Sequence, residues 1–91
     1  MSVSIKKQND DVFEITVADR ITTTHEVTVT DQSLSELTDN NVTKTQLLEF
    51  SFSFLLEREP NTSILSSFDI NVISKYFSDY RNKVRHWCDE N

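Results

Sequence analysis

No glycine occurs anywhere in the 91 residues, although average usage of about 7% would supply roughly six. This absence constrains the chain more than any motif it contains. Phosphate-cradling loops, dinucleotide-binding turns, nucleophile elbows and EF-hand loops all need backbone that approaches a ligand closely or adopts positive φ, and glycine is what makes that cheap. Those classes are excluded. Turns must instead be built from Asn, Asp and Ser, with Asn and Asp supplying the left-handed conformations that glycine would normally take. Any site must be made of side chains.

The length suits one domain over residues 1–91, with a single core and a net stability of roughly 5–13 kcal/mol. The lone cysteine, Cys88, permits no internal disulfide and no paired-cysteine zinc site, so packing must hold the fold and a reducing compartment suits it. Met1–Asp10 has no apolar signal core, and no stretch nears the roughly 18 apolar residues of a membrane span. The expectation is a cytoplasmic protein with no membrane association and no cofactor.

The formal charge is −6, which opposes general attraction to phosphate backbones. It is unevenly spread. Residues 1–74 hold five of the nine basic and twelve of the fifteen acidic groups, while residues 75–88 hold the other four basic groups against one acid.

Period-two alternation marks the first third of the chain. Val3 and Ile5, then Phe13, Ile15 and Val17, then Ile21, Thr23, His25, Val27 and Val29 alternate with polar, often β-branched residues. This predicts strands with one wet face. The connections Asn9-Asp10-Asp11 and Ala18-Asp19-Arg20 are short, so the strands form an antiparallel meander over about residues 2–30.

From residue 31 the signals are helical. Ser33-Leu-Ser-Glu36 reads as a capping box opening a helix over about 33–39, which Asn40-Asn41 ends, and Thr43-Lys-Thr-Gln46 opens a second over about 44–59. Phe50-Ser-Phe-Ser-Phe54 alone resembles a strand, but Gln46, Glu49, Ser53 and Glu57 recur at helical spacing as one polar stripe, with Leu47, Leu48, Phe52 and Leu55 elsewhere. This is the expected central helix, stopped by Pro60. A third helix spans about 69–89 from an Asp69 N-cap, with Ile70, Ile73, Phe77, Tyr80, Val84 and Trp87 on one seam. The pattern permits one helix or two with a bend near Ser78. The predicted class is therefore α+β, a three-stranded meander covered on one face by a helical half.

Thr24-His25-Glu-Val27-Thr-Val29, Ser51-Phe-Ser-Phe54-Leu-Leu-Glu-Arg-Glu-Pro60, Ser63-Ile-Leu65, Phe68-Asp-Ile70 and Tyr76-Phe77 together resemble a family of small uncharacterised bacterial proteins, over about two-thirds of the chain. That family typically has a proline after Tyr-Phe and glycine in its turns, where this chain has Ser78 and Asn40-Asn41. The resemblance implies a bacterial, stand-alone single domain and carries no assigned activity.

Candidate chemistry is sparse. His25, on the apolar face of a strand, together with Glu57 and Asp69 would make a hydrolytic or metal cluster if the three converged; the alternative is a core histidine bonded to backbone. Arg58 could clamp an anion or brace another element such as Asp69. His86 and Cys88 point about 200° apart on a helix, too far to share a metal or form a nucleophilic pair, and Cys88 reads as a frayed terminal residue. Tyr76, Phe77, Tyr80 and Trp87 interleave with Lys75, Arg81, Lys83 and Arg85, a mixture found in single-strand nucleic-acid binders. On an acidic chain it fits a seam for a protein partner or a second copy better. The leading expectation is a non-catalytic interaction module, homodimeric in one version, presenting Arg58, Tyr76, Tyr80, Arg81, Lys83, Arg85 and Trp87; a small hydrolase and a nucleic-acid binder are the alternatives.

Overall fold

A computed structural model describes residues 1–39 and 42–90. The chain forms an α+β layer pair in the order β1 (Ser2–Lys7), β2 (Val12–Ala18), β3 (Thr23–Thr28), α1 (Asp31–Thr38), α2 (Lys44–Leu56), β4 (Ser67–Asp69), α3 (Ile73–Tyr76) and α4 (Tyr80–Glu90), with 3₁₀ turns at Asn61–Ser63 and Ile70–Val72. The first three strands are the expected antiparallel meander, in register Ile5, Ile15, His25 across one inward row. One face is buried because Phe13, Ile15, Val17, His25, Val27 and Val29 all turn inward beneath the helices. The sheet is nevertheless four-stranded and mixed. β4 pairs parallel to β3, aligning Phe68 with Val27 and extending the inward row Phe13, Val27. Three residues with only Phe68 turned inward leave no alternation to read, so the strand exists because pairing with β3 places it there.

The turns also depart from expectation. In the first hairpin the Asn9 side chain accepts from the backbone N–H of Asp11 and Val12, both at 2.9 Å, a side-chain substitute for a backbone turn. Among the described residues, positive φ occurs only at Asp39 (φ 56°), where α1 ends. The expected stop at Asn40-Asn41 lies outside the described residues.

The N-cap of α1 is Thr30, three residues earlier than predicted, its hydroxyl accepting from the Ser33 N–H. Ser33 is unavailable as a cap because it is buried and its hydroxyl receives a 2.8 Å hydrogen bond from the Asn71 amide. The predicted capping box of α2 is present in both directions between Thr43 and Gln46. That helix stops at Leu56 instead of residue 59. Pro60 forces the preceding residue out of helical conformation, and the Arg58 guanidinium closes the end by donating to the Phe54 carbonyl at 3.0 Å.

The helix predicted over 69–89 is broken. Asp69 does cap, accepting from the Asn71 N–H at 2.9 Å, but what it opens is a 3₁₀ turn leading into the four-residue α3. Phe77 is extended (φ −130°, ψ 100°), and the turn at Ser78-Asp79 redirects the chain into α4. The break lets both halves of the aromatic seam reach the core: Phe77 and Tyr80 meet Phe54 edge-on at 5.7 and 5.2 Å, whereas Trp87 stacks on Phe50 at 4.8 Å. Among the described residues, no helix is long and apolar enough to cross a membrane.

Candidate functional site

The predicted polar candidates fall into separate bonding sets. His25 is 2% exposed, with Nδ1 2.7 Å from the Leu65 carbonyl and Nε2 2.8 Å from the Thr23 hydroxyl. A carbonyl oxygen only accepts, so Nδ1 carries a proton, and in the neutral ring Nε2 accepts from Thr23. Thr23 Oγ1 in turn accepts from the Asn61 amide at 3.0 Å, and the same amide donates to the Ile21 carbonyl at 2.7 Å. One hydrogen-bonded chain thus runs Asn61, Thr23, His25, Leu65. It ties the end of the meander to the segment that delivers β4.

Asp69 accepts from Asn71, Glu57 lies 3.7 Å from Arg58, and neither is bonded to His25. Among the described residues, no three His, Cys, Asp or Glu side chains gather closely enough to hold a metal ion. Arg58 braces Asp79, at 3.0 Å, instead of Asp69, and its guanidinium lies 3.6 Å from the centre of the Phe54 ring. It locks the end of α2 to the turn before α4.

In α4, Tyr80 is wholly buried and Trp87 half-buried, while Arg81, Lys83 and Arg85 are exposed. Arg85 lies 4.0 Å from Asp39. Cys88 is buried rather than frayed, packed in the same core as Val84 and Tyr80. Burial pushes its thiol up, the nearby Asp89 and Asp39 add to this, and Arg85 only partly offsets it. His86 faces solvent and pairs with Glu90 at 3.1 Å.

Two polar devices went unread in the sequence. Ser51, on the buried side of α2, donates to the Leu47 carbonyl at 2.7 Å and sits 2.6 Å from the Tyr80 hydroxyl. Because the one Ser51 proton is committed to Leu47, the Tyr80 hydroxyl is the donor between them. Burial holds the Tyr80 phenol well above the ordinary tyrosine range, against the lowering effect of the Ser51 hydrogen bond.

Lys44, at the start of α2, meets Asp31 at 2.8 Å, Asp11 at 3.0 Å and the Asp10 carbonyl at 2.6 Å. Burial pulls its ammonium down, but the hydrogen bonds to Asp31 and Asp11 outweigh this and leave it raised, while the hydrogen bond to Lys44 holds Asp31 low. A lowered carboxyl contributes stability above its unfolded value and loses it as pH falls through the folded one; a raised ammonium contributes below its unfolded value and loses it as pH rises. The clamp is therefore fully engaged between the ordinary values of 3.8 and 10.5. Lys44→Met is expected to lower Tm by a few degrees throughout that window, with the gap closing on either side of it. A gap that stays constant down to pH 2, measured by circular dichroism, refutes the assignment.

The more apolar of two surface hollows is a groove of about 280 Å³ beside β4, lined by Leu55, Ser63, Ile64, Leu65, Phe68, Val72, Ile73, Tyr76 and Phe77, with Glu59 among them; the other, about 300 Å³, lies around Lys44 and Asp31. Two of its apolar side chains face water: Leu65 is 47% and Tyr76 69% exposed. No periodicity announces it, since its walls come from the end of α2, the loop after Pro60, β4 and α3. No family model matches the chain, and neither a curated protein nor a solved structure matches it.

Proposed function

We propose that this protein is a non-catalytic protein-interaction module that docks through the groove beside β4. The observation that carries this reading is the pairing of Leu65 and Tyr76, large apolar side chains held in water on the rim of one apolar hollow. Scattered apolar residues on a surface need no explanation, but adjoining ones around a concavity are what partner sites look like. At about 280 Å³ the hollow sits just under the roughly 300 Å³ where small-molecule sites begin.

The aromatic seam expected to present Tyr80 and Trp87 serves the internal core instead, so the interaction surface moves to Tyr76. The same burial weakens the nucleic-acid reading: of the four aromatics interleaved with basic residues, only Tyr76 is exposed enough to stack on a base. The hydrolase reading needs His25, Glu57 and Asp69 to act on one substrate, and their bonds tie them to different partners.

The test is affinity capture from the native cell with the whole protein and with a Leu65→Ser/Tyr76→Ser double variant as parallel baits. Proteins retained by the first and lost by the second support the reading. Identical retained sets reject it.

A further inference from the structure

We propose that the groove takes a segment of a partner protein in which a lysine or arginine sits between apolar anchors, with Glu59 receiving the cation. This rests on the interaction reading above and adds the chemistry of the occupant.

Glu59 sets the chemistry of the occupant. Its backbone N–H is bonded to the Leu55 carbonyl at 2.9 Å, but among the described residues its carboxylate has no hydrogen-bond or ion-pair partner. The adjacent cation is already committed: Arg58 serves the Phe54 carbonyl, Asp79 and Glu57. Glu59 is half-buried in a mostly apolar wall that includes Leu55, Ile64, Phe68 and Phe77, with Ser63 another polar residue of the lining. Glu59 keeps part of its surface open to solvent, which is what a charged carboxylate without a protein partner requires. Any occupant that covers the hollow closes off that solvent, and a purely apolar one would leave a buried, unpaired charge, which costs far more than the apolar contact returns. An anionic occupant is worse. A basic side chain resolves the problem, because its stem packs on the aromatic walls while its head reaches the carboxylate.

The rim selects a peptide over a small molecule. A ligand filling only the hollow covers no more of Leu65 and Tyr76 than the parts that line it, whereas a chain lying across it also covers their exposed parts. A second copy is poorly equipped to be that chain. The exposed residues of its α4 are Arg81, Asn82, Lys83, Arg85, His86, Asp89 and Glu90, with no exposed apolar anchor among them. Its exposed apolar residues near basic ones are Val3 before Lys6 and Lys7 in β1, Ile21 after Arg20 in the β2–β3 loop, and Tyr76 after Lys75 on the groove itself, and none of these segments sets a basic residue between two exposed apolar anchors.

The experiment selects from a phage-displayed library of random twelve-residue peptides on the full chain, then measures a synthetic consensus peptide by fluorescence anisotropy. Baits are the unaltered protein, Glu59→Gln and Tyr76→Ser, each checked for fold by the Trp87 emission. Enriched peptides are expected to carry Lys or Arg flanked by apolar residues. Tyr76→Ser should abolish their binding, and Glu59→Gln should weaken it about tenfold, as should norleucine in place of the peptide's basic residue. Peptides that need Tyr76 but carry no basic residue, or bind Glu59→Gln equally well, overturn the cation assignment and leave the interaction reading standing. No Tyr76-dependent enrichment overturns both. A dimer that Tyr76→Ser dissociates in sedimentation identifies a second copy as the occupant and overturns the partner segment.

Discussion

Tyr80→Ala is expected to lower the unfolding free energy by about 3–5 kcal/mol, the cost of removing a large aromatic side chain from a core that cannot fully collapse. A chain of this size has roughly 5–13 kcal/mol in total. Tm should therefore fall by at least about 12 °C, read by circular dichroism. The ring is wholly buried, meets Phe54 edge-on and carries the hydroxyl that bonds Ser51, so three kinds of interaction disappear together. Smaller changes separate them. Tyr80→Phe leaves Ser51 bonded to the Leu47 carbonyl and should cost about 1 kcal/mol, whereas Ser51→Ala strands a phenolic hydroxyl in the core and should cost about 1–3 kcal/mol. If Tyr80→Phe proves the more damaging of the two, the direction of donation is reversed.

The second large effect is expected at Asn61. Its amide, in a residue only 4% exposed, donates to the Ile21 carbonyl and to Thr23. Asn61→Asp keeps the shape and replaces the donor with an acceptor facing another acceptor. The Thr23 hydroxyl can then rotate to serve the new carboxylate, but only by abandoning His25 Nε2. A loss of at least about 3 kcal/mol at pH 7 is expected from the unpaired groups. Burial without donors raises the pKa of the new carboxyl above its unfolded value, so the native state binds the extra proton and the deficit shrinks as pH falls. Chemical denaturation of the variant at pH 4 and pH 7 checks the sign. A deficit that grows toward acid rejects the proposed geometry.

How far the sequence reveals this molecule depends on the range of the signal. The meander is legible because Ile15, Val17, Val27 and their neighbours alternate over whole strands, and the capping box at Thr43 and Gln46 is legible because it is complete within four residues. The break at Ser78 is half-legible: the seam from Ile70 to Trp87 keeps helical spacing across it, and only where Phe54 lies in space explains why Phe77 must be extended. β4 is illegible, being too short for alternation and dependent on a strand far earlier in the chain. Asn61 looks like an ordinary turn residue until the Ile21 carbonyl arrives beside it. Glu59 belongs to a helix end rich in charge, and nothing local distinguishes its unpaired carboxylate from the committed Glu57 and Arg58. Long-range placement, which no local pattern encodes, creates both the groove and the networks behind it.

The parallel pairing of β3 with β4 has a consequence in time as well as in space. The meander closes through two tight connections and can form early, while β4 must wait until residues 29–66 have been folded back across the sheet, a loop whose closure entropy delays it. A strand of three residues returns little for that delay. The sheet edge that forms last is also the edge that opens first, through partial excursions that leave the meander and α2 intact. The groove is thus built on a margin expected to open before the meander's centre does, so a partner seated there is expected to slow the opening of β4, read as amide hydrogen exchange at Phe68, while leaving β2 unchanged.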